Sequence, residues 1–87
     1  MKIKNGFMLR NIVDTWIVVP IGERVVDFNG MITLSETGAF LWNQLEKGKN
    51  HDGMLFSMLN EYEVSKEKAK ADIKEFFEGL ERGGIVE

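Results

Sequence analysis

Val, Ile, Phe, Trp and Thr dominate the apolar positions of the first third of the chain, the residue types that suit a pleated, half-buried surface. Asp14, Gly22 and the pair Asn29-Gly30 interrupt them at short intervals. The spacing predicts four short strands, from Gly6 to Val13, Thr15 to Pro20, Arg24 to Phe28 and Met31 to Leu34. Asn-Gly between the last two is the strongest two-residue hairpin signal, because a type I′ turn needs positive φ at both central positions. Pro20, the single proline, has no N–H to give a ladder and marks a strand end or an edge.

At Ser35 the apolar period becomes helical. The Ser35 hydroxyl is placed to accept from first-turn amides, Glu36 complements the positive helix end, and Ala39, Phe40, Leu41, Trp42 and Leu45 fall on one broad face before Gly48 stops the helix. Asn50 caps a second, short amphipathic helix carrying Met54, Leu55, Met58 and Leu59, with Tyr62 beyond them. Ser65 caps the third and longest, whose apolar set is Ala69, Ile73, Phe76, Phe77 and Leu80, and Gly83-Gly84 ends it. Ile85 and Val86 are too few for an independent strand and are expected to add a short pairing to the sheet or fill the core edge. The class is α+β, an antiparallel sheet of three or four short strands followed by three helices.

Length and composition narrow the picture. Eighty-seven residues close around one core, so residues 1–87 are read as a single domain. With 44% hydrophobic and 29% charged residues the balance is globular. The chain has no cysteine, which excludes disulfides, thiolate metal sites and a cysteine nucleophile. Its apolar runs fall well short of the ~20 residues that span a bilayer, and Met1 to Asn5 has no signal-like hydrophobic stretch, so a cytoplasmic location away from membranes is expected. A net charge of −3 counts against a nucleic-acid partner.

Little in the inventory supports catalysis. The one histidine, His51, stands at the predicted start of helix two beside Asp52, where it reads as a surface residue; with no second histidine or thiolate, no metal site is expected. The serine and threonine hydroxyls outside the strands are Ser35, Thr37, Ser57 and Ser65, three of them in or beside a helix cap. The glycines form no phosphate-cradling pattern, and Glu61 with Glu63 reads as solvated charge. No catalytic residue and no cofactor are assigned. On the third helix, Lys66, Lys70 and Lys74 recur at i, i+4 and i+8 beside Phe77, making one flank basic in an acidic protein. Such a flank is either a solvated face, with its lysines paired to Glu67 or Glu78, or the rim of a site for an acidic or mixed peptide. An unpaired strand edge beside it would let an extended peptide complete the sheet.

Strands followed by three helices, with a helix-turn-helix pair at the end, make a winged-helix layout, for which nucleic-acid binding and peptide binding compete. The run from Val25-Val26-Asp27-Phe28-Asn29-Gly30 through Leu34-Ser35-Glu36-Thr37-Gly38-Ala39 to Phe40-Leu41-Trp42 resembles the strand, turn, strand, cap and first helix of the PqqD family. Tyr62-Glu63-Val64-Ser65 and Leu80-Glu81-Arg82-Gly83-Gly84-Ile85-Val86 are similar to that family's third helix and closing segment. Ser35 stands where the family pattern has asparagine, and the strand region is a few residues longer than in the pyrroloquinoline quinone pathway protein, which favours a PqqD-like relative over the orthologue.

The resemblance implies a non-catalytic recognition element for ribosomally made, post-translationally modified peptides. The leader of the precursor peptide adds beside the last strand before the helices and lies against the third helix, while a partner enzyme, often of the radical SAM class, modifies the core. Carried onto this chain, the edge strand is Met31, Ile32, Thr33 and Leu34, and the helix wall is Lys70, Ile73, Lys74 and Phe77. Two rivals remain: a nucleic-acid-binding regulator, against which helix two offers no Lys or Arg between Asn50 and Tyr62, and a docking subunit using Met54, Met58 and exposed aromatics. A monomer and a domain-swapped dimer are both compatible with short sheet edges.

Overall fold

The structure is a computed structural model that describes residues 2–22 and 32–86. Three strands, β1 (Phe7–Ile12), β2 (Thr15–Pro20) and β3 (Ile32–Leu34), form an antiparallel sheet in the order β1-β2-β3. Three helices follow, α1 (Glu36–Glu46), α2 (His51–Glu61) and α3 (Lys66–Arg82). The α+β class and the three helices expected from the sequence are therefore present. The expected strand from Arg24 to Phe28, the Asn29-Gly30 turn and Met31 lie outside the described residues.

The β1-β2 hairpin closes one residue earlier than the apolar pattern implies. Ile12 pairs with Thr15, and Val13 and Asp14 form the two-residue loop with φ of 50° and 62°. Both signs match a type I′ turn, whose twist suits an antiparallel ribbon. A β-branched residue at positive φ is strained, so Val13 reads in sequence as strand.

Each helix begins where a side-chain oxygen is available. Ser35 Oγ accepts from the Gly38 amide at 3.0 Å, Asn50 Oδ1 from Gly53 at 2.8 Å, and Ser65 Oγ from Lys68 at 3.1 Å. Gly84, at φ 70°, supplies the left-handed step after α3; the Ile85 amide then returns to the Leu80 carbonyl at 3.1 Å. That reversal sends Ile85 into the core and sets Val86 in an antiparallel bridge with Ile3, while Lys4 donates to the Ile85 carbonyl at 2.8 Å. The closing dipeptide thus fills the core edge, as expected, and its short pairing is made with Ile3, outside the sheet.

One face of the sheet and one face of each helix meet in a single core. Val18, Leu41, Trp42, Met54, Met58, Leu80 and Ile85 are wholly buried, and Phe7, Ala69, Ile73, Phe76 and Phe77 complete the cluster. Met54 and Met58 are core filler, as flexible thioether side chains often are. Antiparallel register puts Ile32 opposite Val18 and Leu34 opposite Trp16, with Thr33 turned to the other face. Ile32 and Leu34 therefore pack toward the helices while, among the described residues, β3 stands at the end of the sheet.

Candidate functional site

A groove of about 470 Å³ opens between β3 and α3. Ile32, Thr33 and Leu34 form one bank, and among the described residues no strand pairs with β3 on that side. The floor is Leu41 with Ser35, Thr37 and Gly38 from the start of α1. The opposite bank is a stripe of α3, Lys68, Asp72, Glu75, Phe76, Gly79 and Arg82, spaced so that all six share one side of a helix.

Two glycines let the banks approach. A Cβ at Gly83 would collide with Cδ1 of Ile32, so the end of α3 rests directly on the first residue of β3. At Gly38 a Cβ would stand 3.3 Å from Leu34 Cβ, so α1 begins tight against the last residue of the strand. Gly79 differs: its nearest neighbour would be Arg82 Nη2 at 4.0 Å, and the place of a side chain is open groove. Glycine inside a helix costs about 1 kcal/mol relative to alanine, and here that cost coincides with a recess in the wall. An interior glycine at position 79 is the sequence signal that could have located this bank.

The charges on the groove are mixed. Lys68 Nζ donates to Asp72 Oδ1 at 2.5 Å, one helical turn away, and the hydrogen bond and charge of that carboxylate hold the ammonium pKa above its ordinary value. The lysine is solvent-exposed, so the pair orients side chains more than it stabilises the fold. Glu75 and Arg82 line the same stripe, and Lys68–Asp72 is the ion pair present there among the described residues.

The structure parts the residues that the sequence grouped. Ile32, Thr33 and Leu34 line the β3 groove, whereas Lys70, Ile73, Lys74 and Phe77 line a second depression of about 440 Å³ between α2 and α3. The physical reason is angular: at about 100° per residue, the Lys70 and Lys74 positions lie roughly half a turn from the Lys68 and Gly79 positions, with the buried face between them. A helical wheel orders these flanks but does not say which one the sheet occupies. Pairing of Lys70 or Lys74 with Glu67 or Glu78 is not among the described ion pairs. In the second depression the exposed His51 ring stacks on Phe77 at 4.5 Å with planes 5° apart, beside Asp52 and Leu55. No cluster of three His, Asp or Glu side chains fit to hold a metal ion occurs among the described residues, and no helix among them is long and apolar enough to cross a membrane.

The fold has a solved counterpart. The structure of TbiB1 in complex with the TbiA(beta) leader peptide superposes on this chain with a TM-score of 0.79 at 22% identity, over 100% of this chain and 95% of that one. At that identity the likeness establishes the shared fold. No curated protein matches the sequence. The model of the family described as coenzyme PQQ synthesis protein D (PqqD) matches residues 16–86, which takes in β2, β3, all three helices and the closing bridge. The chain belongs to the PqqD family.

Proposed function

We propose that this protein binds the leader segment of a ribosomally synthesised precursor peptide and presents it to a separate modifying enzyme. The observation that carries the reading is the β3 groove: a strand that no described strand pairs on its outer side faces a recessed helical wall across a floor of Leu41, Ser35, Thr37 and Gly38. An extended peptide added there gains main-chain hydrogen bonds along Ile32 to Leu34, while alternate side chains enter the space above Leu41, Phe76 and Gly79. Membership of the PqqD family and the fold shared with a protein solved around a leader peptide support this reading.

The chain's own part is recognition without bond-making. It holds one segment of the precursor in an extended form, and the enzyme that modifies the core, a radical SAM enzyme by the family resemblance, acts on what is held out to it. A nucleic-acid reading would call for a basic recognition helix, and α2 carries no Lys or Arg.

The test is calorimetric titration with the leader half of the precursor peptide encoded beside this gene, using its core half as control. The expected result is one-to-one binding of the leader half at micromolar affinity or tighter, retained in the full precursor. Preferential binding of the core half, or binding of neither half, would contradict the proposal. For the presentation step, the neighbouring modifying enzyme should turn over the full precursor faster when this protein is added, and no faster when the leader has been deleted.

A further inference from the structure

The groove is longer than the strand that borders it. The three residues of β3 span roughly 10 Å, whereas the α3 stripe from Lys68 to Arg82 runs about 21 Å at 1.5 Å per residue. An extended segment following that stripe has about seven residues; beside Arg82 it starts level with Ile32, it runs along β3, and its far end meets α3 alone. In an added strand, side chains level with Ile32 and Leu34 point toward α3, and those level with Thr33 point away. About four inward positions, two residues apart, therefore read the helical wall in order.

The wall they read is graded. Its centre is apolar and recessed, formed by Phe76 and Gly79 over Leu41. At the end where Gly83 touches Ile32 stands Arg82, whose guanidinium folds back over Gly79 toward the groove; no ion pair engages it among the described residues. Beyond the centre in the other direction come Glu75 and Asp72, and Lys68 already neutralises Asp72. The Glu75 carboxylate makes no ion pair among the described residues, and its charge reaches the Lys68 ammonium only at longer range.

Resting on the leader-peptide reading above, we propose that Arg82 and Glu75 are specificity determinants. Arg82 and Glu75 stand about 10 Å apart along the helix, so the groove selects a segment whose successive inward side chains run acidic, apolar, basic, with the acid over Arg82 and the base over Glu75. A guanidinium favours a planar carboxylate through paired N–H donors. A like charge at either end is repelled and left unmatched, which discriminates more sharply than the matched pair attracts. The apolar middle supplies burial, and the two ends decide which peptides of similar apolar content are accepted.

Four synthetic heptapeptides test this, each with Leu at the central inward position and Thr at the four outward ones. Their two remaining inward positions, four residues apart, are Glu and Lys, Glu and Glu, Lys and Lys, or Gln and Gln. Because ends are compared as like or unlike, the result does not depend on which way the peptide runs. NMR titration of the whole chain should rank the Glu/Lys peptide first, about threefold to fivefold tighter than Gln/Gln at low salt, with both like-charged peptides weaker than Gln/Gln. In Arg82→Glu the Lys/Lys peptide should move to first place, and in Glu75→Lys the Glu/Glu peptide should. A Glu/Lys peptide no tighter than Gln/Gln, or a ranking unmoved by either reversal, would overturn the charge selection while shifts at Ile32 to Leu34 with Gln/Gln kept the groove reading intact. If none of the four shifted those strand signals, both the selection and the groove reading would fall.

Discussion

The two flanks of α3 share a buried core face between them, and each borders a depression of similar size, about 470 Å³ against β3 and about 440 Å³ against α2. What stands opposite differs. Across from Lys68, Phe76, Gly79 and Arg82 is a strand that ends the sheet among the described residues; across from Lys70, Ile73, Lys74 and Phe77 is another helix, whose backbone hydrogen bonds are internal. A peptide on the first flank can pair with main chain, and on the second it meets side chains alone. The richer cationic pattern belongs to the second flank, so charge pattern and backbone availability point to opposite sides of one helix.

The sharpest way to separate the flanks is to remove one ring from each. Phe76→Ala and Phe77→Ala both empty a buried site and should each lower stability by about 3–5 kcal/mol in chemical denaturation. At a temperature where both variants remain folded, only Phe76→Ala should also weaken leader binding, because Phe76 alone of the two lines the β3 groove. Equal losses of affinity would dissolve the distinction.

Gly79→Leu fills the recess in the wall without touching the core. It should cost more than about tenfold in leader affinity while raising helix stability by up to about 1 kcal/mol, so a higher Tm accompanies weaker binding. Unchanged affinity in the stabilised variant would show that the peptide does not enter between β3 and α3.

A remote control lies at the hairpin tip. Replacing Val13 by Asn together with Asp14→Gly removes the strain of a β-branched residue at positive φ and should raise stability by about 1 kcal/mol, with leader affinity unaltered. Smaller still is the expected effect of Lys70→Glu combined with Lys74→Glu: less than about a twofold change in leader affinity at physiological salt. A large loss there would move the binding surface to the α2 side.

The least effect is that of pH. Burial, then the charges of Glu36 and Glu61, raise the Tyr62 phenol above 10.0, and the hydrogen bond and charge of Asp72 raise Lys68 above 10.5. In both, the folded chain holds its proton more tightly than the unfolded chain. Their contribution is therefore complete below the ordinary values and lost as pH rises through the folded ones. Stability measured by denaturation should be insensitive to these groups from neutral pH to about 10 and fall above it.

How much of this was legible in the sequence divides along local and non-local lines. Ser35, Asn50 and Ser65 were readable as caps because the hydrogen bond each makes spans three residues, and all three are formed. The apolar sets of α1 and α3 were readable for the same reason, since periodicity is a local property. The flank facing β3 was not, because it depends on how α3 lies across a strand more than thirty residues earlier in the chain. The Val13-Asp14 turn was hidden by a residue type that opposes its own backbone conformation. Within the expected site, Ile32, Thr33 and Leu34 line the β3 groove, while Lys68, Asp72, Glu75, Phe76, Gly79 and Arg82 take the place foreseen for Lys70, Ile73, Lys74 and Phe77 on its far bank.

The central claim is that peptide enters between β3 and the Gly79 flank of α3, and amide chemical-shift mapping during titration with the leader half of the neighbouring precursor tests it most directly. The account predicts the largest shifts at Ile32, Thr33, Leu34, Phe76, Gly79 and Arg82, with Lys70 and Lys74 nearly still. Saturable binding with shifts concentrated at His51, Lys70, Lys74 and Phe77, and β3 unmoved, would contradict it.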